Sequence, residues 1–129
     1  MNLQAQVDPM KKHILIIEDE EDIRECLKEF LETEGYQVTT ALNGADAFNV
    51  GANLSKPDLI LLDLMMPIMS GDEFIAQQKK QNFMLDVPVV LVSADNQTSK
   101  MAKSLGVADH LKKPMDLEDL VAIIKKNMH

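Results

Sequence analysis

Hydrophobic positions along the chain follow two patterns that alternate. His13–Ile17 (HILII), Leu59–Leu62 (LILL) and Pro88–Val92 (PVVLV) are short, nearly continuous apolar runs, the signature of strands covered on both faces. Gln37–Ala41 (QVTTA) is rich in β-branched residues and predicts a further strand. His110–Lys112 is long enough for a short last one. Between these runs, apolar residues recur at helical spacing. The first helix carries Ile23, Leu27, Phe30 and Leu31; the second runs from Ala45 to about Leu54 with Phe48 inward. The third covers Gly71–Gln81, the fourth includes Lys100–Leu105, and the last carries Leu117, Leu120, Val121 and Ile124. Gly35 and Gly106 stand where the first and fourth helices should stop.

The pattern is a strand–helix unit repeated five times. Apolar strands alternating with helices demand a parallel sheet covered on both faces, and right-handed crossovers make this α/β chain a doubly wound three-layer sandwich. In such sheets functional groups gather beyond the carboxyl ends of the strands, where the strand order reverses. Residues 1–12 show no clear period and contain Pro9, so they are expected to form a loosely ordered leader to one domain over 13–129.

Composition narrows the function. A chain of 129 residues suffices for one self-supporting core, and the single cysteine, Cys26, excludes an internal disulfide. Cys26 falls within the first helix's amphipathic pattern and is expected to be a packing residue. The net charge of −8 disfavours binding to nucleic acid or to an anionic membrane. The basic pairs Lys79-Lys80, Lys112-Lys113 and Lys125-Lys126 are too short to change that. No apolar stretch approaches bilayer length, and MNLQAQVDPMKK lacks the apolar core of a signal peptide. A cytoplasmic location is expected.

The strand ends carry the chemistry. After the first strand come Glu18, Asp19, Glu20 and Glu21; after the third, Asp63; after the fourth, Ser93; after the fifth, Lys113 and Pro114. Taken singly, each has a plain reading. Glu20 and Glu21 suit a helix N-terminus, Asp63 or Ser93 could cap a helix, and Lys113 could be a solvated lysine. Together they fall at one sheet edge. Carboxylates converging there repel one another unless a cation joins them, and a hard ion such as Mg²⁺ takes one or two carboxylates along with phosphate oxygens. Lys113 and Ser93 add a charge and a hydroxyl for an anionic oxygen. The set describes phosphoryl transfer to an acid.

Over roughly Lys11 to Lys126 the sequence resembles the receiver domain of two-component response regulators, of the stand-alone type. The resemblance is carried by ILIIEDEEDIRE, PDLILLDLMMPIMSG, VVLVSAD and GVADHLKKP. It implies the flavodoxin-like strand order 2-1-3-4-5 and a phosphoprotein switch that catalyses only its own phosphorylation and dephosphorylation. By this likeness Asp63 is the phosphoacceptor. Mg²⁺ is held by Asp19, Asp63 and the backbone carbonyl of Met65, with Glu18 reaching it directly or through water. Ser93 bonds the phosphoryl group, Lys113 pairs with it, and the Lys113–Pro114 peptide is cis. Ser93 and His110 act as the switch pair, reporting to the face formed by the fourth helix, fifth strand and fifth helix. The implied partners are a histidine kinase or histidine phosphotransfer protein and a downstream protein target, with no nucleic acid or membrane, in a monomer or weak dimer.

Four positions depart from the family pattern. Glu18 stands where aspartate is common, and its longer side chain alters how the ion's water shell is held. His110 replaces an aromatic ring. Its imidazole could make the switch pH-sensitive, or it could be a half-exposed strand-edge histidine. Ser93 and Lys113 are 20 positions apart, a short span that trims the loop or fourth helix. Met65 offers no polar side chain to guide an attacking water, which predicts a fairly long-lived phosphoryl state. Met65, Met66 and Met69 cluster near the site and are either filler or an adaptable docking patch.

Alternatives of other classes fit less well. An aspartate-nucleophile phosphohydrolase needs a second acid where Met65 stands. A flavin or nucleotide binder needs a glycine-rich loop where the acidic run stands. A phosphorylation-independent docking module would need loss of Asp63 or Lys113, and both are present.

Overall fold

The computed structural model describes residues 11–52, 54–64 and 69–128. The expected leader over 1–12 therefore lies almost wholly outside the described residues, as do Met65 and Met66. The strands are β1 (His13–Ile17), β2 (Gln37–Ala41), β3 (Leu59–Asp63), β4 (Val89–Ser93) and β5 (Asp109–Lys112). The helices are α1 (Glu21–Thr33), α2 (Gly44–Gly51), α3 (Gly71–Gln81), α4 (Thr98–Leu105) and α5 (Leu117–Asn127). All strand pairs are parallel, in the order β2-β1-β3-β4-β5. This is the expected doubly wound α/β sandwich, with the order reversing between β1 and β3.

Alternation along the strands builds two cores. Side chains at successive strand positions point to opposite faces. Leu15, Ile17, Ile60, Leu62, Val89 and Leu91 pack on one side with Ala47 of α2, Phe74 and Ile75 of α3 and Ala102 of α4. Ile14, Ile16, Leu59, Leu61, Val90 and Val92 pack on the other with Leu27 and Leu31 of α1 and Leu120 and Ile124 of α5. Every residue of the three central strands is buried, which explains why those runs carry almost no polar residue. Full burial of such an aliphatic side chain contributes about 1.5–3 kcal/mol. Phe48, Phe74 and Phe83 add an aromatic cluster, with ring centroids 4.8 to 6.4 Å apart.

Element boundaries shift where local chemistry overrides the hydrophobic pattern. α2 starts a residue early because the Asn43 side chain accepts from the Asp46 amide, and it stops at Gly51. Pro88, lacking an N–H, stays outside β4, although its carbonyl accepts from the Ile60 amide. α4 runs from Thr98 through the expected Lys100–Leu105, and β5 takes in Asp109. Gly35 and Gly106 end α1 and α4 with φ of 97° and 71°, a left-handed region that a side chain disfavours.

Two expectations about packing are corrected. Cys26 is exposed, not a packing residue; the buried face of α1 runs through Arg24, Leu27 and Leu31, and Cys26 lies a helical step off it. In α5 the buried residues are Leu120 and Ile124, joined by Ile123, whereas Leu117 is exposed and Val121 only half-buried.

His13 is the polar exception at the foot of the sheet. It is buried, its amide donates to Asp58 Oδ2 at 2.8 Å, and its Nε2 lies 2.8 Å from Thr39 Oγ1. Burial lowers its pKa below 6.5, against a smaller upward pull from Asp58. The unfolded chain therefore holds the proton more tightly, so the contribution of neutral His13 is complete above about pH 6.5 and is lost as the pH falls toward the lower folded value. Urea unfolding at pH 7.5 and 5.5 is expected to show the stability gap between wild type and His13→Gln narrowing at the lower pH. A constant gap would contradict it.

Gly71, at the first turn of α3, closes against the end of β3. A Cβ there would sit 2.8 Å from both Asp63 O and Leu64 Cα, which are backbone atoms with no side-chain freedom to yield. Gly71→Ala is therefore expected to cost about 1–3 kcal/mol in urea unfolding and to shift the Asp63 and Leu64 amide resonances. Wild-type stability with unmoved resonances would refute the close approach.

Candidate functional site

The carboxyl ends of β1, β3 and β5 supply four side chains to one place. Glu18 and Asp19 follow β1 directly, Asp63 is the last residue of β3, and Lys113 follows β5. Register explains the convergence: Ile17 pairs with Leu62, Asp63 with Val92, and Ser93 with Lys112. The Lys113 amide donates to Ser93 O at 2.8 Å, which ties the turn after β5 to the end of β4. The Lys113–Pro114 peptide is cis, as the resemblance implied.

Carboxylate oxygens of Glu18, Asp19 and Asp63 all lie within 4.8 Å of one another. Glu18 and Asp63 are only 3% and 5% exposed, so neither charge is relieved by bulk water, and burial without compensation would be costly. Lys113 compensates. Its Nζ donates to Glu18 Oε1 at 2.7 Å and lies 3.6 Å from Asp63 Oδ2. Partial burial works against the lysine's charge. The Glu18 hydrogen bond and the Asp63, Glu18 and Glu20 charges outweigh that, so its pKa is raised above the ordinary 10.5.

One site atom is unsatisfied. Among the described residues, Asp19 Oδ1 is a buried side-chain oxygen without a hydrogen-bond partner. An orphaned buried carboxylate oxygen within 4.8 Å of two others suits a hard divalent cation that prefers oxygen ligands. The donor set of Glu18, Asp19 and Asp63 could hold such an ion. The Met65 carbonyl expected to complete it lies outside the described residues.

Other predicted residues sit nearby with other engagements. Ser93 is fully buried at the end of β4, where its Oγ accepts from the Asp95 amide at 3.1 Å. It does not cap α4, whose preceding residue is Gln97; the bond runs to its own loop. His110 is half-buried on the edge strand β5, the place the plainer reading gave it. Glu20 and Glu21 begin α1 and are exposed, as helix N-terminal charges should be. α4 has 8 residues, like α2, against 13, 11 and 11 for α1, α3 and α5, so the short Ser93–Lys113 span coincides with a short helix. Met69 is half-buried against Gly44.

Sequence reasoning missed Arg24. It is buried on α1, and its Nη1 donates to Glu18 O at 3.0 Å and Asp19 O at 3.3 Å. A signal was present: Arg24 shares the 3- and 7-residue spacing of Leu27 and Leu31, a charge placed in the apolar stripe.

Comparisons with known proteins agree with this geometry. The family model of the response regulator receiver domain matches residues 14–125. The transcriptional regulatory protein CrdR of Helicobacter pylori is 40% identical over 119 residues, covering 91% of this chain and 55% of CrdR. The chain spans about half the length of the curated relatives it matches. Among solved structures, the response regulator TrrA of Thermotoga maritima, in complex with Mg(2+)-BeF, is 32% identical with a TM-score of 0.79, covering 91% of this chain and 99% of that one. The chemotaxis protein CheY4 of Vibrio cholerae is 25% identical with a TM-score of 0.82, covering 92% and 99%. The family match over residues 14–125, joined to the acidic cluster and lysine at the sheet's edge, places this chain among the response regulator receiver domains of two-component signalling.

Proposed function

We propose that this chain is a phosphoacceptor switch in which Asp63 takes a phosphoryl group from a histidine kinase or histidine phosphotransfer protein with Mg²⁺ bound beside it. The observation that carries this reading is the cluster itself: three carboxylates within 4.8 Å, one with a buried unpartnered oxygen, and a lysine shared between two of them. TrrA, similar over nearly the whole domain, accepts Mg²⁺ and a beryllofluoride in its solved complex.

In this reading Glu18, Asp19 and Asp63 would hold Mg²⁺, which when bound would neutralise carboxylate and phosphoryl charge. An Asp63 carboxylate oxygen attacks the phosphorus in line. The new O–P bond forms as the donor's N–P bond breaks, and the electron pair returns to the donor imidazole. Lys113 Nζ is already 3.6 Å from Asp63 Oδ2 and balances the charge gained there. Positioning and charge neutralisation supply most of the catalysis, so the activity is confined to the chain's own modification.

Switching follows from competition for Ser93. In the unmodified chain its hydroxyl holds the Asp95 amide just before α4. Turning toward a phosphoryl group gives that bond up and lets the α4–β5–α5 face repack, with His110 on β5 as the second moving side chain. A modest difference in contact energy between two packings is enough to shift the population.

Output passes through a protein partner of that face. The acidic charge that argues against nucleic-acid contact concerns this domain's own surface; CrdR carries the name of a transcriptional regulator and is nearly twice as long as the matched region. Among the described residues no helix is long and apolar enough to cross a membrane.

Intact-mass measurement after incubation with Mg²⁺ and a small acyl phosphate is expected to give one base-labile phosphoryl adduct on wild type and none on Asp63→Asn. No adduct under conditions that load another receiver would favour a docking module that works without phosphorylation. Lys113→Met removes a cation that competes for Glu18 and Asp63, so calorimetric titration is expected to show Mg²⁺ binding about tenfold tighter. Weaker binding would mean that the lysine organises the carboxylates rather than competing for them.

A further inference from the structure

We propose that Arg24 is a positioning residue that aims the Asp19 carboxylate at the cation site. The inference rests on reading Glu18, Asp19 and Asp63 as that site, and it concerns a side chain that touches none of their carboxylates in the described structure.

The geometry is specific. Arg24 is the only arginine in the chain; the other 12 of its 13 basic residues are lysines. It is 8% exposed and pairs with no carboxylate among the described residues. Its side-chain hydrogen bonds there are the two to Glu18 O and Asp19 O, both from Nη1. Those carbonyls belong to the peptide units on either side of the Asp19 Cα, and each unit is planar. Holding both oxygens fixes both planes, and with them the direction in which the Asp19 side chain leaves the backbone.

Asp19 needs this from its backbone. Its Oδ1 is buried and receives no hydrogen bond among the described residues, so none of them orients that oxygen from its far end. Glu18, in contrast, is oriented by Lys113 at 2.7 Å and by the Glu20 amide at 3.3 Å. Arginine also suits this position chemically, because a guanidinium stays charged when buried and is more weakly hydrated than an ammonium. Groups that orient a metal ligand without touching the metal typically govern affinity by about 10–100-fold.

The test uses Arg24→Gln and Arg24→Lys, each studied at a temperature where its own melting curve shows it folded. Calorimetric Mg²⁺ titration of the unphosphorylated proteins is expected to give a dissociation constant about tenfold weaker for Arg24→Gln and an intermediate one for Arg24→Lys. In loading by an acyl phosphate, the Mg²⁺ concentration for half-maximal rate should rise in parallel, with the rate at saturating Mg²⁺ within about twofold of wild type. A folded Arg24→Gln with wild-type Mg²⁺ affinity would overturn the proposal and leave Arg24 a packing residue. If Arg24→Gln does not fold, Arg24→Lys decides: unchanged affinity overturns the inference, and weakened affinity with an unchanged saturated rate supports it. Wild type that loads on Asp63 only with Mg²⁺ keeps the site reading intact whichever way Arg24 falls; wild type that binds no Mg²⁺ overturns both.

Discussion

Carboxylates crowded onto one sheet edge stay there only if positive charge comes to them. Here the charge arrives from the far side of the sheet. Lys113, at the end of β5, reaches across β4 to stand 2.7 Å from Glu18 and 3.6 Å from Asp63. Two carboxylates almost out of water and one ammonium form a triad whose Coulomb energy depends on ångström-scale spacing. That dependence turns an electrostatic requirement into a mechanical one: the ends of β1, β3 and β5 must keep register, or the buried acids lose their countercharge.

The sheet meets that requirement through its interior. β1, β3 and β4 are buried along their whole length, and the odd and even positions of each strand feed separate cores on the two faces. A slip by one residue would exchange the faces of every side chain in a strand. Gly71 adds a local condition, because α3 can approach the backbone of Asp63 and Leu64 so closely only without a Cβ. The aliphatic core thus supports the chemistry by keeping polar groups at fixed separations.

The same architecture leaves the β5 side of the sheet less buried than its centre. β5 is one of the sheet's two edge strands and is only partly buried, α4 is short, and the Ser93 hydroxyl accepts from the Asp95 amide. Asp63 therefore sits between a fully buried central sheet and a more exposed edge.

The strand runs, the glycine stops and the acids, serine and lysine at strand ends were legible in the sequence, because burial on both faces and helix termination are local patterns that leave local marks. Glu18, Asp19, Asp63, Ser93 and Lys113 could be named for the same reason: each follows a recognisable strand. Tertiary structure alone decided their distances, the commitment of Lys113 to Glu18 and of Ser93 to Asp95, and the exposure of Cys26, since these depend on how separate elements dock. Arg24 lies between the two cases. Its place in the apolar stripe was visible, but its use was not, because nothing in one helix's periodicity tells that a buried cation is satisfied by carbonyls at the end of the preceding strand.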